Sequence, residues 1–338
     1  MHNLPLHDKV ILVTGGTGSF GKAFIRKALT EHRPRKVIVF SRDELKQWEM
    51  RQSDPIYDHP DIRYFLGDVR DKERLERAFR DVDLVVHAAA LKQVPAAEYN
   101  PTEFIKTNIH GAMNIVDVAI ERGIERVIAL STDKACNPVN LYGATKLCSD
   151  KLFVAGNAYV GAKGMPKFSV VRYGNVLGSR GSIVPKWKSM VAAGAKELTV
   201  TDPRMTRFWI TLEQAADFVI ANFSRMLGGE IFVPKIPSMK VVDLVQAIAP
   251  GIGMRITGIR PGEKLHEMMV SEDDARHTVE YEDCYAIAPE TEVSPTQATA
   301  KRLIDIGAKS IPDGFSYTSD RNDRWLDTPA LQKLIAHL

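Results

Sequence analysis

Through its first half the chain alternates short apolar runs with amphipathic stretches. The apolar runs read as buried strands at Lys9–Thr14, Lys36–Phe40, Ile62–Leu66, Leu84–His87, Val127–Ser131 and Phe168–Arg172. The amphipathic stretches between them predict helices near Gly18–Glu31, Asp43–Gln52, Lys72–Phe79, Thr102–Arg122 and Leu141–Gly156. Strands alternating with helices predict an α/β fold, a doubly wound parallel sheet of the Rossmann type. Ligands of such a sheet sit beyond the carboxyl ends of its strands. After about residue 175 the alternation loosens, and prolines at 185, 203, 234, 237, 250 and 261 interrupt it. The expected division is therefore a dinucleotide-binding unit over 1–175 and a smaller, mainly substrate-binding unit over 176–338. The second unit is expected over the sheet's carboxyl edge, with elements free to return to the first. Residues 289–338 carry the weakest pattern.

Composition narrows the class. With 338 residues, 44% hydrophobic and 26% charged, the chain can bury a full core. A net charge of +3 gives no general case for nucleic-acid binding. Cys136, Cys148 and Cys284 are sparse and lack metal-ligand spacing, so no metal is expected and a reducing compartment fits. Met1–Lys9 is short and polar, unlike a signal peptide, and no segment approaches the ~18 apolar residues of a membrane span. The expected location is the cytoplasm, with no membrane partner.

The first strand runs into Gly15-Gly16-Thr17-Gly18-Ser19-Phe20-Gly21. Strand, glycine turn and helix start are the context in which a glycine triad binds a dinucleotide. Gly15, Gly18 and Gly21 permit the turn, close approach to a pyrophosphate and tight helix packing, while the helix start supplies the anion site. The tip of the second strand chooses between dinucleotides. An acidic residue there favours NAD, but here Ser41, Arg42 and Lys46 can hold a 2′-phosphate, which points to NADP. The duller reading makes Arg42 and Lys46 solvated helix-start residues. Asp68 and Val69 suit the adenine edge, and Ala88 and Ala89 suit close passage of the cofactor.

The chemistry concentrates in Leu130-Ser131-Thr132-Asp133-Lys134-Ala135 and Tyr142-Gly143-Ala144-Thr145-Lys146. Tyr142 and Lys146, four apart, share a helix face. A neighbouring lysine favours the phenolate, making Tyr142 a base candidate. Asp133 and Lys134 form a second acid/base pair, more than a simple alcohol dehydrogenase needs. As a surface ion pair they would be inert, but they follow a strand end where ligands bind.

Together TGGTGSFG, GDVRD, HAAA, Asn108 and YGATK make the chain resemble the extended short-chain dehydrogenase/reductase superfamily. SRDE, HAAALKQVP, STDKA and RYGNVLGSRGS narrow the resemblance to the inverting UDP-N-acetylglucosamine 4,6-dehydratases, which make the first intermediate toward pseudaminic acid. The resemblance runs from about residue 7 to 270. Retaining dehydratases carry an aspartate–glutamate pair in place of Asp133-Lys134, and a longer insertion before the tyrosine.

The resemblance implies C4 oxidation, loss of water across C5 and C6, and hydride return to C6 with inversion at C5. Tyr142 is expected to take the 4-hydroxyl proton. Lys146 is expected to lower its pKa and hold the nicotinamide ribose, and Thr132 to bond the reacting oxygen. Lys134, if desolvated to a lower pKa, would act at C5, and Asp133, kept protonated by burial, at the C6 hydroxyl. Which of the two is the acid stays open. Leu130, Ser131 and Val176 are expected near the cofactor, and Lys92 near both cofactor and substrate. For the UDP-sugar the candidates are Asn175, Arg180, Ser182, Thr201, Arg207, Arg260 and Glu263, with Gly178–Ser182 opening a helix. Rival readings are a UDP-sugar 4-epimerase, which needs no second acid/base pair, and a non-catalytic NADP-binding sensor or scaffold. The helices near 102–122 and 141–160 are expected to pair subunits through residues such as Ile105, Ile109, Met113, Val116 and Ile120, giving a dimer or hexamer.

Overall fold

The computed structural model describes residues 5–161, 164–290 and 298–336. The expectation for Met1–Lys9 therefore lies partly outside the described residues. The strands are β1 (Val10–Thr14), β2 (Lys36–Ser41), β3 (Ile62–Leu66), β4 (Leu84–His87), β5 (Arg126–Leu130), β6 (Lys167–Val171), β7 (Asn175–Val176), β8 (Glu197–Val200) and β9 (Thr206–Ile210). There follow β10 (Ile231–Pro234), β11 (Ser238–Lys240), β12 (Gly253–Ile256), β13 (Met268–Val270), β14 (Thr278–Glu280), β15 (Cys284–Ile287), β16 (Lys309–Ser310) and β17 (Tyr317–Thr318).

One ten-stranded sheet organises the molecule, in the order β16-β14-β15-β10-β6-β5-β4-β1-β2-β3. From β10 to β3 neighbouring strands run parallel. The central strands are buried from end to end, as a sheet covered by helices on both faces requires. All six early strands lie within a residue of their expected bounds. Four later strands also join this sheet. β10 extends it in parallel, while β15, β14 and β16 add antiparallel.

The rest of the chain builds smaller sheets (β11-β9-β7, β12-β8 and β13-β17) around a second core that includes Trp187, Leu198, Leu244 and Leu331.

Two predicted helices are not continuous. The first is helical over Ser19–Lys27, then opens into a π-helical segment, Ala28–His32. The long one divides into Pro101–Phe104, a π-helical segment Ile105–His110, and Gly111–Arg122. Val116 packs in the main core and is not available as a subunit face, whereas Met113 is exposed.

Candidate active site

The glycine turn is shaped for close approach. Gly15 has φ +67°, a conformation that favours glycine, and a Cβ there would stand 2.9 Å from the Ala89 amide nitrogen. At Gly21 a Cβ would stand 2.6 Å from Gly16 Cα. The Thr14 hydroxyl accepts from the Ala88 and Ala89 amides at 3.1 and 3.2 Å, tying β1 to the chain leaving β4. Gly18 begins the helix with its first amides uncapped by any side chain. This cradle fits a dinucleotide diphosphate. Ser19 accepts from the Arg180 amide at 3.0 Å, so the 178–182 loop leans on the cradle. Phe20 packs against Phe24 and Tyr173.

At the β2 tip Ser41 is buried, and its hydroxyl accepts from Gln47 at 3.0 Å. Arg42 lies 3.9 Å from Asp68, whose carboxylate also holds Arg70 at 2.8 Å. Lys46 pairs with Asp43 at 2.6 Å. Val69 is buried against Gly111. Asn108, inside the π-helical segment, bonds both backbone groups of Leu91 at 2.9 Å and so holds the loop that presents the exposed Lys92. Such segments recur at functional sites.

The reactive groups meet where β5 ends. Ser131 donates to Asp150 at 2.7 Å. Thr132 opens a one-turn 3-10 helix, Asp133–Ala135, and Asn140 caps the helix Leu141–Gly156 that carries Tyr142 and Lys146. The two elements touch at Gly143, where any Cβ would collide with the Lys134 carbonyl. That contact is the physical need for glycine in YGATK.

Lys134 Nζ lies 3.0 Å from Asp133 Oδ1 and 3.1 Å from Glu267 Oε1. Arg207 Nε lies 3.7 Å from the same Glu267 oxygen. Asp133 Oδ2 and Glu267 Oε2 are buried without a hydrogen-bond partner among the described residues. The Glu267 backbone is clamped on both sides by Ser319, whose hydroxyl accepts at 2.9 Å and whose amide donates at 2.8 Å.

Burial, then the charge of Glu267, pushes the Asp133 carboxyl up despite Lys134. Burial works against a charged Glu267, but Lys134 and Arg207 hold it below the usual glutamate range. Burial also works against a charged Lys134, yet Asp133 and Glu267 raise its pKa. The expectation of a lysine titrating lower is therefore corrected: two carboxylates keep this amine protonated. Burial pushes Tyr142 up to about 12, opposed first by the charge of Lys134 and then by a hydrogen bond from Thr132. The cation acting on the phenol is thus Lys134, a second correction. Lys146 is itself lowered by burial, with Asp150 opposing.

On the sugar-nucleotide side, β7 carries Asn175 and Val176 alongside β9. Ser182 precedes the helix Ile183–Ala192 without capping it, and its hydroxyl is buried and unpartnered among the described residues. The helix expected to open from Gly178–Ser182 thus begins at Ile183, directly after that segment. Thr201 contacts Met205 Sδ at 3.0 Å. Arg260 is exposed and pairs with Glu263 at 3.0 Å. Arg207, a candidate for the UDP-sugar, lies in β9 and donates to the carbonyls of Thr206, Lys264 and Leu265. That arrangement ties it to the Glu267 cluster.

Glu267 escaped the sequence reading. It follows RPGEKLH, stands outside any helical or strand periodicity, and meets Lys134 only through the fold.

A glycine cradle on parallel strands, with a tyrosine and lysine four apart beside it, defines an extended short-chain dehydrogenase/reductase. The chain belongs to the polysaccharide biosynthesis protein family, whose sequence profile matches residues 11–289. It is 57% identical over 332 residues to the UDP-N-acetylglucosamine 4,6-dehydratase (inverting) of Campylobacter jejuni subsp. jejuni serotype O:2, covering 98% of both chains. It is 39% identical over 338 residues to a UDP-glucose 4-epimerase of Rickettsia canadensis, covering 98% of this chain and 96% of that one. Among solved structures, Pen from Bacillus thuringiensis superposes with a TM-score of 0.86 at 34% identity, covering 98% of each chain.

Proposed function

We propose that this protein is an NADP-dependent UDP-N-acetylglucosamine 4,6-dehydratase that inverts C5. The product is UDP-2-acetamido-2,6-dideoxy-β-L-arabino-hex-4-ulose. The observation that carries the reading is the buried Asp133 carboxyl paired with the half-buried Lys134 beside Tyr142, together with 57% identity to a relative bearing that name. A 4-epimerase, the name of other relatives, needs only the tyrosine site.

The dinucleotide, when bound, supplies the hydride acceptor and returns the same hydride. Gly15, Thr17, Gly18 and Gly21 would hold its diphosphate, and Arg42 and Lys46, both at the surface of the β2 tip, favour a 2′-phosphate. Tyr142 takes the proton of the 4-hydroxyl, with Thr132 at the same oxygen. The 4-ketone acidifies C5. Lys134, whose side chain keeps 24% of its surface exposed, releases its proton to solvent and then takes the C5 proton as the free amine. Asp133 gives its proton to the C6 hydroxyl, which leaves as water as the C5–C6 double bond forms. A solvent proton is then delivered to C5 on the opposite face from Lys134. Arg180, Arg260, Asn175, Ser182 and Thr201 are assigned to the UDP end, and Lys92 to the cleft mouth. Cytoplasmic location is consistent with the described helices, none of which is long and apolar enough to cross a membrane.

Proton NMR of the protein with UDP-N-acetylglucosamine in D₂O tests this. The expected result is a new 6-methyl signal, deuterium at C5 and L-arabino couplings, with NADP identified in the denatured protein by mass spectrometry. A D-xylo product would remove the inversion, a C4 epimer alone would establish the epimerase, and bound NADP without sugar turnover would favour the sensor.

We also propose a homo-oligomer, a dimer or hexamer, paired through the helices near 102–122 and 141–160. Exposed Met113 and Tyr159 support an unpaired face there. Light scattering at micromolar concentration should give at least twice the chain mass, and a monomer would refute it.

A further inference from the structure

The proposed elimination needs a proton on Asp133 at the pH where the enzyme works. Two carboxylates, Asp133 and Glu267, touch one ammonium at 3.0 and 3.1 Å, and both are almost wholly buried. Each has one oxygen that bonds nothing among the described residues. Two buried carboxylates that share one ammonium oppose each other's ionisation, so the one with the weaker cationic support retains a proton.

The surroundings decide which carboxylate keeps it. A second cation, Arg207, stands 3.7 Å from Glu267 and is fixed there by three backbone carbonyls and by Glu263 at 3.8 Å. Lys264 adds positive charge on the same side. The groups that bear most on Asp133 are Glu267, Lys134 and the Thr132 hydroxyl, and Lys134 is the one cation among these three. Tyr142, the titratable group facing the cluster from the neighbouring helix, is neutral in the resting protein because burial holds its phenol up at about 12.

We propose that Glu267 is a positioning residue that stays ionised between Lys134 and Arg207 and thereby keeps the proton on Asp133. The role rests on the reading of Asp133 as the acid of the elimination, but its physical content is a protonation state that can be read without substrate. The Ser319 clamp on both backbone groups of Glu267 explains how the carboxylate is held. Ser319 thus holds, from 52 positions further along the chain, a carboxylate whose partner Lys134 lies 133 positions before it.

Infrared spectroscopy of the purified protein, titrated across the neutral range, tests it directly. A protonated-carboxyl C=O band is expected that Asp133→Asn removes. In Glu267→Gln the band should disappear at a pH lower by on the order of one unit, because the like charge that holds the proton is gone. Glu267→Asp keeps the charge but withdraws it from Lys134, so its midpoint should fall between the two. That variant decides the question if Glu267→Gln does not fold. In turnover, the basic limb of methyl formation should move down with the band. The acid limb of C5 deuteration should also move down, because Lys134 loses one of the two groups that raise its pKa. Loss of folded protein would produce neither shift. A band insensitive to Asp133→Asn, or one abolished by Glu267→Gln at every pH, would overturn the assignment. So would an unmoved midpoint in both Glu267 variants. If wild-type protein makes no 4-keto-6-deoxy sugar, the functional reading fails, and the infrared result still decides the proton's place.

Discussion

Lys134→Ala should lower formation of the 6-methyl product by about 10²–10⁴-fold, the range expected when a proton-transfer group is lost. The argument is geometric. Lys134 is the amine that Asp133, Glu267 and the packing at Gly143 all fix in place. The same change should destabilise the fold. It leaves two buried carboxylates facing each other, and breaking a buried pair in this way costs about 3–5 kcal/mol.

The cost has a defined pH sign. In the native protein Glu267 sits below its ordinary pKa, so its pairing contributes stability above the unfolded pKa and loses it as pH falls through the lower folded value. Without Lys134, burial and Asp133 would raise the Glu267 pKa. The stabilisation would then lie on the acid side and fade as pH rises through the carboxylate range. Urea unfolding at mildly acidic and neutral pH reads the difference. The gap between wild type and Lys134→Ala should be wider at neutral pH. An equal gap at both values would mean that Glu267 is not held by Lys134.

Much of the site was legible before the fold. The six early strands follow from apolar runs with sharp polar ends, and β1 delivers the glycine turn because the strand and turn are contiguous in sequence. Thr132, Asp133, Lys134 and Tyr142 lie within eleven positions, so local structure alone brings them near one another. Tertiary contacts were not legible. Glu267 reaches Lys134 because β13 pairs with β17, a pairing that no periodicity announces. The antiparallel strands β14 to β16 join the main sheet across a stretch with few turn signals. The π-helical segment around Asn108 looks like ordinary helix in the sequence, since Ile105–His110 contains no proline or glycine to set it apart.

The electrostatic error had a physical origin. Spacing on one helix pairs Tyr142 with Lys146, but the phenol is influenced by Lys134, which crosses to it from the strand end.

That exchange of lysines makes the other large effect specific. Tyr142→Phe should abolish C4 oxidation, again by about 10²–10⁴-fold. Without the 4-ketone the C5 hydrogen is not acidic, so the variant should show neither deuterium at C5 nor a methyl signal. Asp133→Asn separates the steps. It leaves Tyr142 in place, so C5 should exchange with D₂O while the C6 hydroxyl stays on the sugar. The pH dependence follows from the raised phenol: the neutral form dominates at working pH, and C4 oxidation should accelerate as pH rises toward about 12 for as long as the protein stays folded. Lys134→Met removes the charge that most opposes burial and should push that rise to still higher pH. Lys146→Met should leave its position nearly unchanged and instead weaken dinucleotide retention. A shift of the profile by Lys146→Met alone would return the phenolate to the helix-face pair and take Lys134 out of the first step.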